Sequence, residues 1–196
     1  MRLPEPKHDS DVSLEESISN RRSVREYAEG PLTLQEVSQL LWAAQGITSP
    51  EGGRTAPSAG GTYPLELYTV VGDVRDMTPG VYRYVPDGHQ VVRVMSGDVR
   101  EALAGAALDQ SWVKEGAAVF VFAAIYERTT GRYGERGIRY VHLEVGHAAE
   151  NLCLQATALG LGSVTVGAFD DGRVSEVLGL PEDEVPLYVI PVGRRQ

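Results

Sequence analysis

The segment Arg21-Arg22-Ser23-Val24-Arg25 gathers three guanidinium groups and a hydroxyl within five residues, next to a predicted helix end. Such a set can surround a phosphate through charge-assisted, often bidentate hydrogen bonds. The same cations also favour a helix C-terminus by about 0.3–1 kcal/mol and need do nothing else there. A second group is Ala56-Pro57-Ser58-Ala59-Gly60-Gly61-Thr62-Tyr63-Pro64, where paired glycines beside Ser58 let backbone approach a flat or anionic ligand. It is not a P-loop, because no Gly-Lys-Ser/Thr follows and no helix pattern opens there. Taken alone it reads equally well as a surface loop. Elsewhere the chemistry is sparse. His142 and His147 stand roughly 140° apart around a helix and share no face, so no metal site is expected. His147 and Glu150 have the i, i+3 spacing of a helix-surface hydrogen bond. Cys153, among apolar neighbours, is expected to be a buried small hydrophobe rather than a nucleophile. Gly160-Leu161-Gly162 lacks the third glycine of a dinucleotide fingerprint and follows a helix, which excludes a Rossmann reading. Trp42 and Trp112 are expected to anchor core or interface.

The elements that would hold these groups follow from periodicity. Residues 1–12 are polar, carry Pro4 and Pro6, and read as an extended arm ahead of one domain over 13–196. Ser13 with Glu16 predicts a capping box and a helix running into Asn20-Arg21-Arg22. Thr33 with Glu36 predicts a second, whose stripe is Leu34, Val37, Leu40, Leu41 and Ala44 and whose stop is Gly46. Three prolines and four glycines make residues 49–64 a loop. Strands are predicted at 65–72, 81–85, 90–95, 117–126, 163–166 and 187–192. The second and third form a hairpin through Pro86-Asp87-Gly88-His89, and the run from Ala117 is buried on both faces. Helices are predicted at 98–108, capped by Asp98, at 139–159 and at 172–178. With helices at both ends and strands between, α+β is favoured over an alternating parallel sheet.

The chain has 196 residues with 18 Lys and Arg against 27 Asp and Glu, a formal net charge of −9. That balance argues against nucleic acid, whose binders need surplus cation, and equally against an anionic membrane surface. Only Lys7 and Lys114 are lysine, so the positive charge is almost wholly arginine, the better planar fork for phosphate or carboxylate. One cysteine leaves no intramolecular disulfide, and no long apolar run or signal-peptide core is present, so a cytoplasmic protein is expected.

Taken together and in order, the motifs carry a resemblance. Arg21 to Arg25, Pro57-Ser58-Ala59-Gly60-Gly61, Tyr63-Pro64-Leu65, Arg139 to Glu144, Gly146 to Leu152, Val166-Gly167-Ala168-Phe169 and Pro191-Val192-Gly193-Arg194 resemble the nitroreductase family of flavoenzymes. The pattern is most similar to its SagB-type and thiazoline-oxidase-like dehydrogenases. The resemblance implies an α+β nitroreductase-like fold, with a central, mainly antiparallel sheet flanked by helices, in an intertwined homodimer with FMN at the interface. It places Arg21 and Ser23 on the FMN phosphate, Arg22 nearby, and Arg25 at the pyrimidine edge of the ring. Pro57, Ser58, Ala59 and Gly61 come from the partner chain. Thr165, Val166, Gly167 and Ala168 lie along the ring, with the Gly167 amide facing flavin N5, and Arg194 or Arg195 closes the phosphate site.

The implied activity is ping-pong transfer of a hydride from NAD(P)H through the flavin to a small nitro- or quinone-like acceptor. Alternatives are a SagB-type dehydrogenase oxidising a peptide azoline or other small substrate, a flavin-binding module without turnover, and an anion-binding domain with no flavin. The sequence departs from the family where Asn and Gln often stand and this chain has Gly61 and Tyr63. Where azoline-oxidising relatives carry a catalytic Lys-Tyr pair, this chain has Arg132-Tyr133. Arg cannot serve as a base near neutral pH, which leaves Tyr133 as the candidate proton donor.

Overall fold

The computed structural model describes residues 1–196. Helix α1 (Leu14–Asn20) starts where Ser13 Oγ accepts the Glu16 amide, but only this half of the predicted box forms. Strand β1 (Tyr27–Ala28) follows, then α2 (Leu34–Gln45), where Thr33 and Glu36 cap each other reciprocally. Helix α2 ends at Gly46, where the chain turns extended and a Cβ would collide with Trp42. Then come β2 (Leu65–Val71), the hairpin β3 (Gly80–Val85) and β4 (Gln90–Ser96), and short helices α3 (Arg100–Ala106) and α4 (Ser111–Glu115). Central strand β5 (Ala118–Ala124) leads into α5 (Glu127–Tyr133) and the long α6 (Arg136–Ala158). The chain closes with β6 (Leu161–Ser163), α7 (Asp171–Leu178) and β7 (Val185–Arg195).

The sheet runs β1-β7-β5-β2-β3-β4, with β6 also on β7, and every paired strand is antiparallel. Strand β5 is buried along its whole length, as an apolar, β-branched run between two neighbours must be. Its alternate residues feed two cores. Phe120 and Phe122 join Leu67, Ile190, Leu41 and Leu152 beneath α2 and α6. Val119 and Val121 join Val70, Val189, Leu103, Val113 and Leu178 beneath α3, α4 and α7. Each fully buried side chain of this size contributes roughly 1.5–3 kcal/mol. The arm lies on this body: Leu3 donates to His89 O at 3.0 Å, Ser38 to Pro4 O at 2.6 Å, and Gln39 exchanges two hydrogen bonds with the Lys7 backbone.

Several boundaries differ from the sequence reading, each for a physical reason. The strand predicted at 163–166 ends at Ser163, and pairing resumes only at Val166, which bonds Val189 in both directions. Asp98 does not cap α3; its carboxylate is taken by the Arg100 side chain and amide. Strand β7 begins before Pro186, which the sheet tolerates through a register shift opposite Phe122 and Ala123. Helix α5 shows no apolar stripe and forms against α6, where Gly137 leaves room for the Thr130 backbone.

Candidate functional site

Three segments carry the expected chemistry, and the fold treats them differently. After α1 the chain runs extended beside β6: Ser23 pairs with Ser163, and the Val24 amide donates to Ser163 O at 2.9 Å. Gly162 permits this approach, since a Cβ there would lie 2.7 Å from Val24 Cγ1. Arg22 turns back onto the helix end, donating to Ser19 O at 2.9 Å and Arg21 O at 2.6 Å. Arg21 makes a loose 3.4 Å contact with Glu150, so Glu150 faces Arg21 rather than His147. Ser23 is exposed and its hydroxyl has no protein partner. The Arg25 guanidinium meets no carboxylate and lies 5.5 Å from the Trp112 ring centroid. The Trp112 indole N–H is itself buried without an acceptor.

The second segment leaves the same strand. Four residues past Ser163, Gly167 follows the Val166–Val189 pair and is exposed, with no acceptor for its amide. Thr165 is half-buried and Ala168 exposed; the Ala168 carbonyl accepts from Gln110 Nε2 at 2.9 Å, which pins the segment to the turn before α4. Asp170 then caps α7 through the Arg173 amide. The arginine run is therefore anchored on Ser163, and the Gly167 segment, four residues further along the chain, on Val189 and Gln110. Arg21 and Arg25 have no close carboxylate partner, and the Gly167 amide is exposed.

The third segment is the loop over 49–64. It is fixed to the protein by its backbone: Thr55 donates to Gly46 O at 2.9 Å, and Thr55 O accepts from Asn151 at 3.2 Å. Pro57 is exposed, while Ser58 Oγ accepts the Tyr63 amide at 2.9 Å and closes the turn. Ala59 opens a single tight turn in which Gly60 and Gly61 have φ of 63° and 66°, values that favour glycine. Helix α5 clamps the turn: Arg132 donates to Gly60 O at 3.0 Å, Arg128 to Tyr63 O at 3.1 Å, and Thr129 shares a 2.8 Å hydrogen bond with Thr62. The Tyr133 hydroxyl lies over Gly60, where a Cβ would strike it. Tyr133 thus reaches the candidate loop, and Arg132 is occupied as a strut. No hydrogen bond or ion pair within the chain joins residues 57–61 to residues 21–25 or 165–168.

The C-terminal arginines separate. Arg194 is held by Glu36 at 2.6 and 2.9 Å and by Pro31 O at 2.7 and 3.1 Å, so its fork is closed away from the Arg21 run. Burial works to raise Glu36, but Arg194 and the Thr33 cap outweigh it and its pKa falls below the usual carboxylate range. Arg195, the next residue along β7, alternates to the other face and is exposed.

Sequence reasoning passed over one group beneath the loop. Glu144 occupies the apolar stripe of α6 between Val141, Val145 and Ala148, is 3% exposed, and its Oε1 has no hydrogen-bond partner. Burial pushes its carboxyl up to about 7, against the opposing pull of Ser58 and Arg54. A carboxylate inside an apolar helical stripe was the available signal. Cys153 is buried as expected, its thiol pushed up to about 11 by burial. His142 bonds Tyr126 at 2.6 Å.

The antiparallel α+β sheet is not the parallel sheet of a dinucleotide-binding fold. Comparison with known proteins agrees. The sequence model of the Nitroreductase family matches residues 18–194, and the chain belongs to that family. It is 51% identical to a Methanocaldococcus jannaschii nitroreductase-class protein over 94% of this chain and 92% of that one. A crystal structure of a nitroreductase-class protein from Ralstonia eutropha superposes with a TM-score of 0.88 at 32% identity, covering 100% of this chain and 89% of that one. The Trifolitoxin operon protein TfxC of Rhizobium leguminosarum is 26% identical over 91% of this chain, which spans 54% of that protein, and similarity of this kind supports the resemblance to the SagB-like subgroup. The FMN reductase (NADPH) of Bacillus subtilis is 24% identical over 91% of this chain and 64% of that protein.

Proposed function

We propose that the protein is an FMN-dependent oxidoreductase of the cytoplasm. It works as a homodimer, taking reducing equivalents from NAD(P)H and passing them to a small nitro- or quinone-like acceptor. The observation that carries this reading is the unpaired, exposed Gly167 amide four residues along the chain from Ser163, the strand position on which Ser23 and Val24 of the arginine run are pinned. When bound, FMN would supply reversible two-electron transfer at N5. The Gly167 N–H would face that atom, with Thr165, Val166 and Ala168 as flanking backbone. Arg21 and Ser23 would hold the phosphate, Arg22 supporting them through the backbone it caps, and Arg195 is the better placed of the two C-terminal arginines to join them. Arg25 would lend positive charge to the pyrimidine edge, a lever on flavin potential.

The homodimer accounts for two further facts. Leu14 and Ile18 on α1, and Ile138 and Leu143 on α6, are 62, 57, 44 and 55% exposed, an apolar surface carried largely by α6 and the helix beside it. The 57–61 loop also reaches no candidate flavin residue of its own chain, which suits donation to a partner's site. The Bacillus FMN reductase (NADPH) supports the choice of both cofactors.

A second reading is oxidation of a bound substrate, such as a peptide azoline, with Tyr133 as proton donor. It is favoured by the position of the Tyr133 hydroxyl over Gly60. One experiment separates the two. Purified protein should be yellow and release FMN on denaturation, and anaerobic NADH or NADPH should bleach it. Bound FMN that neither nucleotide bleaches supports the substrate-oxidising reading, and a colourless protein that binds no added FMN refutes both.

A further inference from the structure

A cavity of about 820 Å³ lies between the N-terminal arm, one face of α2 and the last turn of α6, and none of the residues proposed to hold FMN lines it. Its size is that of a small-molecule site. The arm creates it by bridging a gap. Up to Lys7 the chain is tied down: Gln35 donates to Glu5 O at 3.1 Å, and Gln39 accepts the Lys7 amide at 2.8 Å and donates to the Lys7 carbonyl at 2.9 Å. From His8 to Val12 no backbone hydrogen bond reaches the body, and the Val12 amide turns back to Ser10 Oγ at 3.0 Å. The chain docks again where Ser13 caps α1.

Beneath this arch the walls are flat, apolar and fixed. Gln35, Gln39 and Trp42 share one face of α2 at i, i+4 and i+7. The His8 ring stacks on Trp42, with centroids 5.1 Å apart and planes within 13°. Ala158 and Leu159 of α6 add an aliphatic corner, and Gln155 Oε1 accepts from Gln39 at 3.2 Å, which orients its amide and leaves its Nε2 without a protein partner. The charge on the lining is uneven. Asp9 and Asp11 carry no ion pair, and the opposing free cation is Lys7, while Glu36 is neutralised by Arg194 at 2.6 Å. The last turn of α6 holds no basic residue to offset the negative pole of that helix, whereas the positive pole of α2 is already met by the Glu36 cap. An anion would meet two free carboxylates here. A cation is drawn both by those carboxylates and by the face of the indole.

We propose that this cavity binds a small organic cation with a flat apolar body: the body lies along the wall made by Trp42 and His8, and the cationic end is held by Asp9 and Asp11. Binding ties the arch over residues 8–12 to α2 and α6. The site stands apart from the FMN reading and survives its failure.

The test is titration calorimetry of the full chain, as purified, with benzamidinium and with benzamide, a neutral molecule of nearly the same shape. Benzamidinium should bind more tightly than benzamide, and added salt should weaken it. In the double variant Asp9→Asn, Asp11→Asn, both exposed side chains, benzamidinium should bind roughly 2- to 30-fold more weakly, the range for two exposed ion pairs, with benzamide binding and Tm unchanged. Hydrogen exchange locates the site: amides at residues 8–12, which have no hydrogen bond to the body, should slow when benzamidinium binds. Equal binding of benzamide, no binding of benzamidinium at millimolar concentration, or a double variant that binds it as wild type does overturns the proposal. Protection that appears away from residues 8–12 and leaves them unchanged overturns it as well.

Discussion

Replacing Gly162 by Ala tests whether the arginine run is placed by a backbone contact. In the structure the added Cβ would lie 2.7 Å from Val24 Cγ1 and 3.0 Å from Val24 Cβ. The gap to Val24 Cγ1 must open by about 0.7 Å, from 2.7 Å to the 3.4 Å at which ordinary contact begins. Val24 Cβ is rigidly attached to the main chain, so rotation of the side chain cannot relieve both contacts. The strain falls on the Val24 N–H to Ser163 O hydrogen bond and on the Ser23–Ser163 pairing, the two links that hold residues 21–25. Overpacking of this kind costs about 1–3 kcal/mol. At about 2–4 °C per kcal/mol for a domain of this size, Tm should fall by roughly 2–12 °C. FMN affinity should fall with it, because Arg21, Ser23 and Arg25 move together. Thermal unfolding and FMN fluorescence titration give both numbers. Gly172→Ala is the control: it lies in the first turn of α7 with Asp170 Oδ1 at an ordinary 3.5 Å from the new Cβ, and should lower neither Tm nor FMN affinity. A Gly162→Ala protein that melts with wild type and binds FMN equally well would refute the argument.

Two further perturbations address the supports around the site. His89 accepts the Tyr84 hydroxyl at 2.8 Å and must donate its other N–H to Ser38, whose own hydrogen goes to Pro4 O. Burial depresses its pKa against the raising influence of Pro4 and Glu5, so below the unfolded value of about 6.5 the unfolded chain takes a proton that the native ring resists. Stability relative to His89→Asn should therefore fall as pH drops from 8 to 5.5, measured by Tm; a difference that does not change with pH contradicts the neutral network. Arg194→Met should destabilise by about 1–2 kcal/mol, the low end for charged hydrogen bonds because the pair is partly exposed, and should leave FMN affinity unchanged. Lost FMN affinity at unchanged Tm would instead return Arg194 to the phosphate.

The parts of the fold that local chemistry decides were legible from residues alone. Thr33 and Glu36 cap α2 as a pair, the hairpin turns at Pro86 to His89, and the apolar run of β5 lies at the centre of the sheet. What escaped was decided by tertiary contact. Helix α5, with Thr129, Thr130 and Gly131, has weak intrinsic preference and exists because it packs on α6. Pro186 sits within a long strand only because the register slips opposite it. At the site, the arginine run and Gly167 could be named, but the run's anchor on Ser163 could not, since it joins residues far apart in sequence. Arg194 likewise reads as a free cation until Glu36 is seen across from it. Glu144 was hidden in the opposite way, as a charged residue inside an apolar stripe whose burial only the packed structure reveals.

The central claim is that an FMN phosphate is held by the arginine run anchored on Ser163. Titrating apo-protein with FMN and with riboflavin, which lacks the phosphate, tests it directly, in wild type and in Arg21→Ala. One lost charge-assisted hydrogen bond is worth about 1.5–3 kcal/mol, roughly 10- to 150-fold in affinity. Wild type should bind FMN far more tightly than riboflavin, and Arg21→Ala should shrink that preference by a factor in this range while riboflavin affinity and Tm hold. Equal preference in the two proteins, or no preference for FMN in wild type, would contradict the claim.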